Sequence, residues 1–201
     1  MTRSTSILLI GVCAAVLTAG LFLPGYIGAQ ENKDPVVEIG YGLTDLPEPV
    51  QEMVLAIGEA IRSGDMQALK VAIEMNEMPP VIGDSESKDQ IAYLKSLSAD
   101  PEGAETLARL SLILDAGYAH VDPSGKDESY IWPYLAAVDF KALTPADRVK
   151  LHRIAPGAAA VDMEKAGKYS GWRIGISPSG VWHFLETGSS RPDQAPASGA
   201  Q

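Results

Sequence analysis

A ribbon of alternating large apolar residues near the C-terminus constrains the fold most strongly. It reads YSGWRIGISPSGVWHFLETG, residues 169–188. Pro178 and Gly180 suit a type I turn followed by a left-handed glycine, which pairs Ser177 with Val181 in a β-hairpin. In this register we expect one face to carry five large apolar side chains, namely Trp172, Ile174, Ile176, Trp182 and Phe184. Because an isolated hairpin is not stable in water, this face must pack against other elements.

The opposite face of the predicted hairpin carries Arg173, Gly175 and His183. The same register places Gly175 opposite His183, which leaves open space beside the imidazole, with Arg173 diagonally nearby. We therefore predict Arg173 and His183 as ligand-binding residues for a polar group. The alternative is a strand surface that faces solvent, as one face of an antiparallel sheet commonly does.

Helical signals dominate the chain before this hairpin. The segment 44–64 places Val50, Val54, Ile57 and Ile61 at helical spacing and ends at Gly64. A second helix begins after Asp65 and stops before the Pro79-Pro80 pair, so the two form a predicted antiparallel helix pair. Capping and proline signals predict four further helices, within residues 89–99, 101–116, 144–154 and 157–166.

Two short segments rich in aromatic and branched residues predict strands on either side of the turn at residues 122–128. They read YAHV, from residue 118, and SYIWPYLAAV, from residue 129. In the second segment Tyr130, Trp132 and Tyr134 alternate, so three aromatic rings on one face could stack on a sugar or a peptide. The alternative is that the same alternation packs the strand onto the core.

These elements predict an α+β fold, with a helical N-terminal part and a small antiparallel sheet that includes the C-terminal β-hairpin. We expect a signal peptide at residues 1–29 and a linker at 30–43, which can contain a short strand at 36–39. A single globular domain would then cover residues 44–187. Residues 188–201 lack large apolar side chains, so we expect a disordered tail there.

The N-terminus predicts a secretory signal. The first six residues contain one Arg and no acid, and an apolar run follows over residues 7–23, closed by Pro24 and Gly25. Ile27 and Ala29 suit a small-residue cleavage site, so we expect cleavage after Ala29 and a periplasmic or secreted protein. The alternative is an uncleaved membrane anchor, because the apolar run approaches the roughly 17–25 residues that span a bilayer.

Composition excludes several classes of partner and of chemistry. The chain has 16 Lys and Arg residues against 26 Asp and Glu residues, a net charge of −10. A negative field of this size repels nucleic-acid phosphates and anionic lipid headgroups, so we expect no nucleic-acid binding and no membrane insertion after signal cleavage.

The only cysteine, Cys13, lies in the signal segment. We therefore expect a cysteine-free mature chain that depends on a packed core and has no thiol chemistry.

No motif in the sequence is strong enough to name a reaction. The S-x-x-K pattern at residues 85–88 lacks the K-T-G strand of penicillin-binding enzymes. We expect no metal site and no cofactor, because the histidines lack companions at zinc-binding spacing. Carboxylates and histidines near the predicted strand turn are the remaining catalytic candidates for hydrolysis, namely Asp122, Glu128, His120 and His183.

Several segments taken in order carry a resemblance to known proteins. The series AIRSGDMQALK, NEMPP, LDAGYAHVD, YIWPY and WRIGISPSGVWHF resembles a family of small exported proteins of unknown function from Gram-negative bacteria. This resemblance implies a location and no activity. The helix pair followed by an aromatic hairpin is also loosely similar to the cone-shaped folds of the nuclear-transport-factor-2 type, although this chain has fewer clear strands.

The sequence therefore favours an exported, non-catalytic accessory protein or binding module, whose ligand is a small molecule or whose partner is an envelope protein. The alternative is a cell-envelope hydrolase that uses a carboxylate and histidine site. A third class, a structural or protein-interaction subunit, also stays open. For the binding module, the candidate ligand-binding residues are Tyr130, Trp132, Tyr134, Arg173 and His183.

Overall fold

The computed structural model of the protein describes residues 36–83, 89–123, 125–155 and 157–186. The predicted signal peptide, residues 30–35 of the predicted linker, the S-x-x-K pattern at 85–88 and the predicted tail at 188–201 lie outside these ranges. Within them, none of the helices has the length and apolar character that crossing a bilayer requires.

A six-stranded sheet forms the centre of the fold. Its strands are β1 (Val37–Gly40), β2 (Val81–Ile82), β3 (Tyr118–Val121), β4 (Ser129–Trp132), β5 (Arg173–Ile176) and β6 (Trp182–Glu186). Their order across the sheet is β1-β3-β4-β5-β6-β2. The predicted α+β class is confirmed, but the sheet is mixed and larger than the sequence indicated, because β2 pairs in parallel with β6 at the edge.

The helices agree with the predicted order. They are α1 (Glu48–Ser63), α2 (Leu69–Glu74), α3 (Gln90–Ser96), α4 (Ala104–Asp115), α5 (Pro145–Ile154) and α6 (Ala158–Ala166). Helix α1 ends at Gly64, whose φ of 68° is the left-handed conformation that favours glycine at this position. Asp65 then starts the next turn, because its carboxylate accepts a hydrogen bond of 2.9 Å from the backbone N–H of Gln67.

Helices cover both faces of the sheet. On one face, α1 to α4 bury the larger core against the sheet residues Tyr118, Tyr130, Trp132, Ile174, Ile176, Trp182 and Leu185. On the other face, α5, α6 and two short 3-10 turns bury a smaller core that contains Ala119, Tyr134, Leu135, Phe140, Leu143, Leu151, Ala155, Ala160 and Met163. Ala119 and Tyr118 belong to different cores because successive side chains of a strand point to opposite faces.

The short strand expected near residues 36–39 is present as β1, shifted by one residue. It pairs antiparallel with β3, with Glu38 opposite His120 and Gly40 opposite Tyr118. This part of the predicted linker therefore belongs to the sheet and forms one of its edges.

The C-terminal hairpin has the predicted turn but a different register beyond it. The backbone N–H of Gly180 donates to the carbonyl of Ser177 at 2.9 Å, and the φ of Gly180 is 81°. Trp182 lies opposite Ile176 as expected, but a β-bulge follows, which sets Phe184 opposite Gly175. The predicted place of Phe184 on the same face as Ile174 and Ile176 was therefore wrong.

Leu185 takes the core position that the sequence assigned to Phe184. It lies opposite Ile174, and both side chains are fully buried. Phe184 lies across Gly175 instead, so closely that a Cβ on that glycine would overlap its ring. The indole N–H of Trp182 donates to the carbonyl of Phe184 at 2.8 Å, which also stabilises the bulge.

Helix α4 begins three residues later than a first turn at Pro101 would place it. Gly103, with a φ of 89°, separates that turn from the helix. The Asp100 carboxylate still accepts hydrogen bonds from the backbone N–H groups of Gly103 at 2.8 Å, Ala104 at 3.0 Å and Glu105 at 2.9 Å. Asp100 therefore caps α4 from a position outside the regular helix.

Candidate functional site

A cleft of about 230 Å³ opens over β1, β3 and β4 at one edge of the sheet. We name it the β1 cleft. It is lined by Glu38, Ile39, Gly40, Asp45, Tyr118, His120 and Tyr130. Most of these residues come from the three strands, and Asp45 comes from the connection between β1 and α1.

Strand register brings the central residues of the β1 cleft together. Glu38 on β1 lies opposite His120 on β3, and His120 lies opposite Tyr130 on β4. Directly opposite residues of neighbouring strands point to the same face, so these three side chains form a row across the sheet. Gly40 and Tyr118 form a second pair on that face.

The imidazole of His120 is held by three neighbours. Its Nε2 lies 2.7 Å from Oε1 of Glu128, within hydrogen-bond distance. Its Nδ1 lies 3.7 Å from Oε2 of Glu38. The ring stacks on Tyr130 with centroids 4.4 Å apart and planes 10° from parallel. These contacts fix the orientation of the ring inside the cleft.

Tyr118 and Tyr130 form the aromatic wall of the β1 cleft. Their rings meet edge to face with centroids 5.8 Å apart, and each residue is only 4% exposed. Neither hydroxyl has a hydrogen-bond partner among the described residues. In the same part of the chain, no fully buried side-chain polar atom lacks a partner. Both hydroxyls must therefore keep some exposure to solvent. They are exposed in the β1 cleft, because that is the surface these two residues line.

A glycine makes room for this wall. The ring of Tyr118 lies across Gly40, and a Cβ at that position would overlap the ring and its hydroxyl. A larger residue on β1 would therefore push Tyr118 out of its place. This is a close approach that only glycine allows.

The environment keeps both tyrosine hydroxyls neutral. Burial raises the pKa of Tyr118, and the nearby carboxylate of Asp45 raises it further. Burial also raises the pKa of Tyr130, with an added contribution from Glu128. Each hydroxyl is therefore protonated at neutral pH and can both donate and accept a hydrogen bond.

A second, larger cleft is lined in part by Glu128. It measures about 520 Å³ and is lined by Gly125, Lys126, Asp127, Glu128, Ser129, Ser177, Pro178 and His183. His183 is exposed there. We name this the turn cleft, because the turn after β3 and the hairpin turn form its walls.

The structure separates the four catalytic candidates. His120 and Glu128 are in contact, as described above. Asp122 is in the turn after β3, where its φ is 52° and its carbonyl accepts a hydrogen bond of 2.8 Å from the N–H of Gly125. Within the described ranges, neither Asp122 nor His183 forms a hydrogen bond or an ion pair with His120.

The polar hairpin face differs from its prediction. Arg173 donates to both carboxylate oxygens of Glu186, at 2.7 and 2.9 Å, and its guanidinium lies 5.5 Å from the centre of the Phe184 ring. Phe184 also fills the space above Gly175. The predicted opening between Gly175 and His183 was therefore wrong, because the bulge places Phe184 there.

The three alternating aromatic residues do not form one platform. Trp132 is 2% exposed and packs in the larger core. Tyr134 is 1% exposed, lies in the 3-10 turn Tyr134–Ala136 and packs in the smaller core. Of the three, Tyr130 is the one that lines a cleft. The packing of Trp132 and Tyr134 favours the core interpretation.

Sequence reasoning did not find Glu38, Asp45 and Tyr118. The first two lie about 80 residues before His120 in the chain and reach it only through the pairing of β1 with β3. The one available signal was the short strand pattern in the predicted linker. Across the described ranges, no group of three or more His, Cys, Asp or Glu residues is placed to hold a metal ion.

Comparison with known proteins gives no relative, since no family model, no curated protein and no solved structure matches this chain. The resemblance to exported Gram-negative proteins and the likeness to nuclear-transport-factor-2 folds therefore gain no support. Any function must be argued from the residues of the site.

Proposed function

We propose that the protein is an exported, non-catalytic binding module whose ligand occupies the β1 cleft. One observation carries the proposal: Tyr118 and Tyr130 are each 4% exposed, and neither hydroxyl has a partner among the described residues. Because no fully buried side-chain polar atom of the described residues lacks a partner, both hydroxyls keep access to the cleft that their residues line. A ligand in the cleft could form hydrogen bonds with both hydroxyls, and a few convergent polar groups in a cleft are typical of binding sites.

The size of the cleft favours a small ligand, or the end of a larger one. The volume of the cleft is about 230 Å³. It falls below the range of about 300–1,000 Å³ that is common for drug-sized ligands. We therefore infer a ligand group no larger than one long side chain.

The N-terminal sequence supports export. The apolar run at residues 7–23 and the small residue Ala29 suit a cleaved secretory signal. A periplasmic or secreted protein would meet small molecules and envelope proteins as partners. N-terminal sequencing of the protein recovered from the periplasm or the medium should give Gln30 as the first residue. Recovery in the membrane fraction with an intact N-terminus would instead identify the segment as an anchor.

A thermal unfolding screen tests the binding proposal. The purified protein is heated with sugars, peptidoglycan fragments, short peptides and amines. A ligand at about a hundred times its dissociation constant adds roughly 2.7 kcal/mol to the free energy of unfolding, which raises the Tm by several degrees. We expect Tyr130→Phe to reduce that rise, since it removes one cleft hydroxyl. An equal rise in wild type, Tyr118→Phe and Tyr130→Phe would place the ligand elsewhere.

A second candidate function, a cell-envelope hydrolase, is favoured by the 2.7 Å contact between His120 and Glu128. In such an enzyme Glu128 would orient the imidazole, and His120 would take a proton from an attacking water. Hydrolysis of peptidoglycan fragments by wild type, and its loss in His120→Ala and Glu128→Gln, would support this function. His183→Ala serves as the control, because His183 lies in the turn cleft.

A further inference from the structure

We propose that the β1 cleft binds a protonated primary amine, the ammonium group of an alkylamine or of a lysine side chain. This inference rests on the proposed function, because it names the chemistry of the ligand that the same cleft would hold. Charge, hydrogen-bond acceptors and the shape of the cleft each point to this group.

Charge in the cleft favours a cation. Glu38 and Asp45 both line it and are exposed at its rim, with the Glu38 side chain 68% exposed. No Lys or Arg is among the described residues that line it. His120 is the one basic side chain there, and it is in contact with Glu128. The net charge of −10 for the whole chain adds to this field, so an anion would be repelled.

The polar atoms of the cleft suit a group with several N–H donors. An ammonium group carries three donors and no acceptor. The carboxylates of Glu38 and Asp45 are acceptors, and the two neutral tyrosine hydroxyls add acceptor oxygens without adding charge. Hydrogen bonds between an ammonium group and a carboxylate are roughly twice as strong as neutral ones. A quaternary ammonium ion carries no N–H donor and would gain none of these bonds.

The remaining wall suits an alkyl chain. Ile39 and the rings of the two tyrosines supply apolar surface beside the carboxylates. Lysine side chains commonly lay their methylene groups along such surface while the charged end meets polar groups. A divalent metal ion is the competing cation, but the described residues hold no set of three His, Asp or Glu side chains placed to ligate one.

Calorimetric titration of the intact purified protein with butylamine at pH 7 tests the inference. Butanol, butyrate, tetramethylammonium and calcium chloride are the matched probes, and N-acetyl-lysine methylamide distinguishes a lysine side chain from a free amine. We expect butylamine or the lysine derivative to bind more tightly than each matched probe. Glu38→Gln should weaken that binding by about tenfold, because it removes a charged acceptor. Glu77→Gln, an exposed change outside the cleft, should leave it unaltered.

Each outcome of the titration either supports or overturns the inference that the cleft binds an amine. Binding of the lysine derivative alone supports the inference and makes a protein side chain the source of the group. Equal binding of tetramethylammonium and butylamine overturns the inference, because hydrogen bonding then plays no part. Binding of calcium, butanol, butyrate or a sugar that Tyr130→Phe weakens, with no binding of amines, overturns it and leaves the proposed function standing. If no probe binds and the wider thermal screen also finds no ligand, both proposals fail.

Discussion

The Nε2 atom of His120 lies 2.7 Å from Oε1 of Glu128, which joins the two ends of the turn between β3 and β4. His120 in turn stacks on Tyr130, in the wall of the β1 cleft. Glu128 also lines the turn cleft. One carboxylate therefore positions the imidazole of the β1 cleft while it faces the neighbouring cleft.

We predict that Glu128→Ala lowers both stability and ligand binding. The change removes a partly buried, charged hydrogen-bond partner of His120, which is worth about 1.5 kcal/mol of unfolding free energy. The freed imidazole would also loosen its stacking on Tyr130. Urea denaturation and the thermal screen measure the two effects. Asp127→Ala is the matched control, because Asp127 is exposed, and equal losses in the two variants would contradict the role given to Glu128.

Replacing Gly40 by alanine should damage the cleft directly. The added Cβ would overlap the ring of Tyr118, so we expect a loss of about 1–3 kcal/mol of stability and a weaker ligand response. Gly58→Ala is the contrasting variant. Its Cβ would meet only the guanidinium of Arg62, at 3.2 Å, and a helical Gly→Ala change should add about 0.5–1 kcal/mol. Denaturant titration should give a lower free energy of unfolding for Gly40→Ala and a higher one for Gly58→Ala than for wild type.

Gly180→Ala should destabilise the fold through both strain and overlap. Its φ is 81°, and a Cβ there would lie 2.5 Å from the carbonyl oxygen of Pro49, so we expect a loss of about 2 kcal/mol or more. Gly64→Ala isolates the strain, because its φ is 68° and a Cβ would meet nothing within 4 Å. That control should lose about 1 kcal/mol. Equal losses of unfolding free energy in Gly180→Ala and Gly64→Ala, measured by chemical denaturation, would show that the hairpin turn does not pack closely against the start of α1.

The carboxyl group of Asp100 makes the stability of the fold depend on pH. The Ser98 hydroxyl, followed by the backbone N–H groups of Glu105 and Ala104, holds the pKa of Asp100 well below its ordinary value of 3.8. A carboxyl whose pKa is lower in the folded state stabilises the fold at pH values above its unfolded pKa. That contribution is lost as the pH falls below about 4 toward the folded value.

The test compares the Tm of wild type and Asp100→Asn at pH 7 and at pH 3. We expect the variant to have the lower Tm at pH 7, and we expect the difference to shrink at pH 3. A difference that stays constant between the two pH values would show that the Asp100 charge is not what holds the turn before α4.

Local signals predicted the helices well. Capping and proline signals predicted a helix within residues 144–154, and α5 begins there with a capping box in which Thr144 and Asp147 form both reciprocal bonds, at 3.2 Å and 2.9 Å. Gly64 and Gly167 end α1 and α6 as expected. Such signals lie within a few residues of the element that they end, so a single sequence carries them.

The pairing of strands that are distant in the chain could not be predicted from the sequence. No local pattern shows that β2 lies in parallel beside β6, or that a bulge moves Phe184 out of the core. The candidate site shows the same difference between residues found by local signals and residues that only long-range pairing brings in. His120, Glu128 and Tyr130 were candidates because of residue type and the turn between their strands. Glu38 and Asp45 join them only through the pairing of β1 with β3.

Heteronuclear NMR of the protein, titrated with the ligand that gives the largest thermal shift, tests the central claim most directly. Binding in the β1 cleft predicts amide shift changes centred on residues 38–45, 118–120 and 130, with smaller changes elsewhere. Changes centred on residues 125–129 and 177–183 would place the ligand in the turn cleft and contradict the account.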